Sequence, residues 1–126
     1  MTVAVVMDDN LEELQSLLSI LRSTGQFEGV YGFDCPSEAC RLIQERGCDI
    51  LFVASEIKGM NCFVLIDSMR KIKQDIFYVI MASGEGYALE AFQKEIMHYV
   101  LKPLTPEAVS RTLEKLKKYN WRNKHS

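Results

Sequence analysis

Two carboxylates stand side by side at Asp8 and Asp9, directly behind an apolar run. Far downstream a lysine, Lys102, closes a second apolar stretch and is followed by Pro103. Paired carboxylates suit a hard divalent cation such as Mg²⁺, which takes oxygen ligands and keeps several of its waters. An ammonium beside them would either neutralise a bound anion or pair with the acids themselves. Two readings of Asp8 and Asp9 therefore stand. They form a weak Mg²⁺ site, or they cap the following helix and pair with Lys102. On either reading no cofactor is required. His98 has no second ligand type clustered with it, so it is expected at the surface or at a partner contact and not on a metal. Cys35, Cys40, Cys48 and Cys62 show no C-x-x-C spacing. Without a secretory signal, reduced thiols packed as small hydrophobes are expected.

The elements that must position these groups are legible in the apolar pattern. Residues 3–7 and 50–54 are continuous apolar runs, as strands buried on both faces should be. Weaker or shorter strands are expected at 27–33, 76–82 and 98–101. Asn10 followed by Glu13 signals a helix start, and Leu11, Leu14, Leu18 and Leu21 recur at helical spacing until Gly25. Pro36 opens a second helix that Gly47 closes. A third helix is expected over 61–73 with Cys62, Leu65, Ile66 and Met69 on one face. A short fourth is expected over 87–95 with Ala88, Ala91 and Phe92 inward. Thr105-Pro106-Glu107 caps and opens the last.

Five β–α units in unbroken alternation call for an α/β fold, a doubly wound parallel sheet with helices on both faces. In open sheets of this kind ligands sit beyond the carboxyl ends of the strands, at the switch in strand order. That rule directs attention to Asp8 and Asp9, to residues 54–56, to Ala82 and Ser83, and to Lys102 and Pro103. The chain has 126 residues, 48% of them hydrophobic and 25% charged, with a net charge of −2. That fits one compact domain and argues against a nucleic-acid surface over the whole chain. No apolar run of membrane-spanning length occurs, and no signal peptide is expected, so a cytoplasmic protein with no membrane contact is expected. Residues 1–118 read as the domain. Residues 119–126, basic with Tyr119 and Trp121 between the charges, read as a tail or as the start of a linker.

The strand ends carry a family resemblance. Val5-Val6-Met7-Asp8-Asp9 looks like the acidic pair that closes the first strand of response-regulator receiver domains. Residues 49–61 resemble that family's third strand and the loop after it, and residues 99–104 its lysine–proline motif. Residues 86–92 are closest to receivers of LytTR-type regulators. The resemblance implies a flavodoxin-like (βα)5 sheet of order 2-1-3-4-5 and a cis bond before Pro103. It also implies a switch or interface role for Tyr99, with His98 and Tyr87 nearby. Tyr99 reads equally well as a half-buried ring packing the last strand.

The chain departs from the family where the chemistry happens. A receiver's phosphoacceptor aspartate stands five residues before the loop glycine, and counting back from Gly59 reaches Ala54. A carboxylate can form an acyl phosphate; a methyl group cannot. The hydroxyl residue expected at the end of the fourth strand is Ala82. Its neighbour Ser83 should point elsewhere, because side chains alternate along a strand. The loop proline is Lys58, and the glycine after Asn61 is Cys62. The pattern points to a non-enzymatic, phosphorylation-independent receiver-like module. It would bind a sensor kinase, a phosphotransfer protein or an output domain, or dimerise through its last strand and flanking helices. The competing reading is a working phosphorelay regulator with a non-standard acceptor, such as the N-terminal part of a DNA-binding transcription regulator.

Overall fold

The computed structural model describes residues 2–73, 75–96 and 98–125, the last five by backbone alone. The apolar runs form β1 (Val3–Met7) and β3 (Ile50–Ala54), flanked in sequence by α1 (Leu11–Ser23), β2 (Gly29–Phe33) and α2 (Pro36–Arg46). There follow a small hairpin of β4 (Glu56–Ile57) and β5 (Met60–Asn61), then α3 (Cys62–Ile72) and β6 (Phe77–Ala82). The chain ends in α4 (Ala88–Gln93), β7 (His98–Leu101) and α5 (Pro106–His125). All neighbours in the five-stranded sheet are parallel, in the order β2-β1-β3-β6-β7. This is the expected 2-1-3-4-5 order once the hairpin is set aside. The Lys102–Pro103 bond is cis.

Alternation along the strands divides the core in two. Val3, Val5, Met7, Leu51, Val53 and Ile80 pack beneath α2 and α3, against Ile43, Ile66 and Met69. Ala4, Val6, Phe52, Val79 and Met81 pack beneath α1 and α5, against Leu17, Leu21, Val109 and Leu113. Every residue of β1 and β3 is buried. Both strands therefore lack a solvent face, and their sequences are continuous apolar runs.

The caps follow the side chains. Asn10 accepts from the Glu13 N–H at 3.0 Å, and Thr105 from the Ala108 N–H at 3.1 Å. Gly25 and Gly47 take positive φ of 68° and 79° just past their helices, where a β-carbon is disfavoured. The expected boundary at residue 118 falls inside α5, which is helical to His125; Tyr119 packs on Phe77 with ring centroids 5.4 Å apart.

Two sequence expectations need correction. The hairpin was not foreseen, because two-residue strands carry no periodicity. Its loop is Lys58-Gly59, both with positive φ (51° and 79°), the combination a type I′ turn requires. Phe92, expected inward, is 82% exposed, and Leu89 is 70% exposed. Helix α4 has only 6 residues, and Ala91 alone is buried. Glu95 then takes φ 57° and turns the chain away. So short a helix cannot turn two large side chains onto the core.

Phe92→Ser should therefore change stability by less than about 0.5 kcal/mol, as surface substitutions do. Urea unfolding measures this, and a loss of about 2 kcal/mol or more would place the ring in the core after all.

Candidate functional site

The register brings four strand ends together. Met7 pairs with Val53, Ala54 with Met81, and Ala82 with Leu101. Asp8, Ala54, Ala82 and Lys102 therefore end or directly follow adjacent strands β1, β3, β6 and β7. The order reverses between β1 and β3, which is where a doubly wound sheet opens a crevice.

Asp8 is 2% exposed. Its Oδ2 accepts from Lys102 Nζ at 2.7 Å, and its Oδ1 accepts from the Asn10 N–H at 3.0 Å. Lys102 Nζ also reaches Glu13 Oε1 at 3.2 Å. Burial works against the charged lysine, but the hydrogen bonds and charges of Asp8 and Glu13 outweigh it, so its pKa is raised. A cavity of about 50 Å³, bounded in part by Asp8, Glu13, Ser16 and Met81, lies beside the pair. It has room for a few waters and nothing larger.

Asp9 does something different. It was expected to share in capping the first helix and in pairing with Lys102, but Asn10 holds the cap position. Asp9 is exposed and its Oδ2 accepts from the Lys58 backbone N–H at 2.7 Å. A proline at position 58 would have no N–H to offer. Lys58 thus supplies the donor that ties Asp9 to the hairpin turn.

Ala54 and Ala82 are both buried, and each presents a methyl group. Ser83 is exposed. The backbone closes over this end of the sheet: Ser55 N–H donates to Met81 O at 2.8 Å and Lys102 N–H to Ala82 O at 2.7 Å. Among the described residues no three His, Cys, Asp or Glu side chains converge as a metal site would need. Asp8 has both oxygens engaged and Asp9 one, and the side chain at position 54 offers no oxygen. This donor set does not fit a resident divalent ion.

Tyr99 is half-buried and packs beside the α2/α3 core; its hydroxyl donates to the Gly84 carbonyl in the loop after β6. Tyr87 precedes α4, with its ring centroid 6.0 Å from that of Phe63. His98 is half-buried, with Nδ1 3.2 Å from Lys115 Nζ. Burial, then the charges of Lys115 and Arg111, push its pKa down to about 4. Of the cysteines, Cys48 and Cys62 are buried, Cys35 and Cys40 partly so, and all four are free thiols.

Sequence reasoning missed Glu13 as a partner of Lys102. Spacing from Asn10 marked it only as a capping residue. The missed signal was Asp8: by taking the Asn10 N–H that a capping-box glutamate would take, it leaves Glu13 to turn to Lys102.

A family model described as the response regulator receiver domain matches residues 4–114. The sensory transduction protein LytT of Bacillus cereus is 29% identical over 118 residues, covering 94% of this chain and 48% of that protein. The transcriptional regulatory protein YpdB of Escherichia coli K12 is 27% identical over 116 residues, covering 92% of this chain and 47% of YpdB. The chain thus spans about half the length of the curated relatives it matches. Among solved structures, the REC domain of AraT, a response regulator from Geobacillus stearothermophilus, superposes with TM-score 0.85 at 20% identity, covering 98% of each chain. The response regulatory domain of mrkE from Klebsiella pneumoniae gives TM-score 0.78 at 22% identity over 99% of this chain and all of that one. At such identities these neighbours speak for the fold.

Lys102→Met should strand the buried Asp8 charge and cost about 3–5 kcal/mol by urea unfolding near neutral pH. Unchanged stability would mean the pair contributes nothing. Because the folded-state pKa of Lys102 is raised, the pair's contribution is complete below its ordinary value of 10.5 and is lost as pH climbs through the higher folded value. On the alkaline side, the gap between wild type and variant should narrow there. His98 carries the opposite sign. Its depressed pKa makes stability fall as pH drops from 6.5 towards about 4. His98→Gln should flatten that limb of a pH-stability curve; an unaltered slope would assign it to other groups.

Proposed function

The chain belongs to the response regulator receiver domain family, and we infer that within it this chain is a phosphorylation-independent signalling module that acts by binding protein. The observation that carries the reading is Ala54, a buried methyl group at the end of β3, where the family resemblance puts the acceptor carboxylate. An acyl phosphate needs a carboxylate oxygen to attack the phosphoryl donor, and a methyl group has none. The loss at Ala82 and the engagement of Asp8 by Lys102 and of Asp9 by the Lys58 N–H support the same reading. The module is not an enzyme. Mg²⁺ binds it weakly, because the site's need for a cation is met by Lys102.

Partner binding falls to β7 and its flanking helices. Leu89 and Phe92 on α4 and Leu101 on β7 are 70%, 82% and 47% exposed, large apolar side chains that the core does not use; the first two are the most exposed of that kind among the described residues. The partner is a sensor kinase, a phosphotransfer protein, an output domain or a second copy of the chain. Tyr99, His98 and Tyr87 belong to this region and relay its position, with no phosphoryl group involved. Past Tyr119, which packs on the domain, the basic end of α5 leads towards a linker and a further domain, in keeping with the greater length of LytT and YpdB. No helix among the described residues is long and apolar enough to cross a membrane, and the module is assigned to the cytoplasm.

Incubation with acetyl phosphate and Mg²⁺, followed by intact-mass measurement, tests this. The protein should stay unmodified. A stable species heavier by one phosphoryl group would overturn the reading in favour of a working receiver with another acceptor.

A further inference from the structure

Lys102 directs its ammonium at two carboxylates that differ in kind. Asp8 is buried, at the end of β1, and lies 2.7 Å away. Glu13 sits in the first turn of α1 at 3.2 Å, with 35% of its side chain exposed. The helix does not need the Glu13 carboxylate as a cap. Asn10 accepts the Glu13 N–H, and Asp8 takes the Asn10 N–H. Nor does Lys102 need a second acid for neutrality, since Asp8 supplies one. The contact has a mechanical consequence: it ties α1 to the end of β7, just before the loop that enters α5.

We propose that Glu13 is a releasable latch that clamps the first turn of α1 onto the end of β7, while Asp8 is the permanent bolt on the same ammonium. The two halves respond differently to surroundings. A buried pair is little screened by salt, whereas a partly exposed pair 3.2 Å apart is weakened once the screening length falls to about 3 Å, at an ionic strength of about 1 M. A cation presented from outside, such as an arginine or lysine of a docked protein, competes for Glu13 and not for Asp8. Release frees one side of Lys102 and loosens the junction between β7 and α5, next to the face assigned to partners. The inference rests on that assignment for its consequence, but the latch itself stands on the two contacts.

The test is the rate of amine labelling of Lys102 in the full chain, read by peptide mass spectrometry at low and high salt. In wild type, salt should speed labelling. Glu13→Gln should label several-fold faster at low salt and show little further response. Glu12→Gln removes an exposed acid from the same turn and should behave as wild type. Cooperative melting of each variant checks that it is folded. Wild-type labelling in Glu13→Gln, an undiminished salt effect in it, or the same acceleration in Glu12→Gln would each overturn the latch. No phosphodonor is present, so the outcome is independent of whether the chain can be phosphorylated.

Discussion

A carboxylate that is 2% exposed, as Asp8 is, must find a cation or strong donors inside the protein, because an unpaired buried charge is prohibitively costly. Asp8 finds Lys102. The partners lie at the ends of β1 and β7, which are not neighbours in the sheet, since β3 and β6 run between them. One ion pair therefore spans the carboxyl edge. It needs the strand order to be right, the two strands to end level, and the loop after β7 to begin at Lys102.

From that constraint the rest of the site follows. With the cation supplied from within, Asp8 has no oxygen to spare. Asp9 alone makes a poor metal ligand set, and it is drawn instead to the hairpin turn. That contact exists only because residue 58 has an N–H, and the positive φ at Lys58 and Gly59 sets the turn that presents it. Ala54 and Lys58 act on the same edge. The first places a methyl group at the end of β3, and the second gives Asp9 a backbone donor. The Tyr99 hydroxyl is likewise met by a backbone carbonyl, at Gly84. Asp8, Asp9, Lys102 and Tyr99 each have a partner that belongs to the chain.

The sheet could be read from the sequence because β1 and β3 are buried on both faces, which leaves short, continuous apolar runs too brief for a helix. The ends of β1 and β7 were legible for the same reason: their apolar runs stop at Asp8 and Lys102, and β3 and β6 stop at Ser55 and Ser83. Contacts between edges were less legible. Asp9 to Lys58 joins residues distant in sequence through a backbone N–H, which no residue type advertises. Glu13 was hidden by its own helix-start spacing, which already accounted for it. Phe92 was misplaced because periodicity says which residues share a face but not whether a helix is long enough to bury that face. Ala54 was the most informative residue, and it informs by what a methyl group cannot do.

The central claim is that this edge of the sheet is satisfied internally and does not answer to a phosphoryl group. Backbone amide NMR spectra with and without beryllofluoride, a phosphoryl mimic, in millimolar Mg²⁺ address it most directly. The account predicts superimposable spectra at residues 54–58, 82–87 and 98–103. Saturable shifts at those residues, reaching Tyr99 and α4, would contradict it and show that the site still receives the signal its family is built to receive.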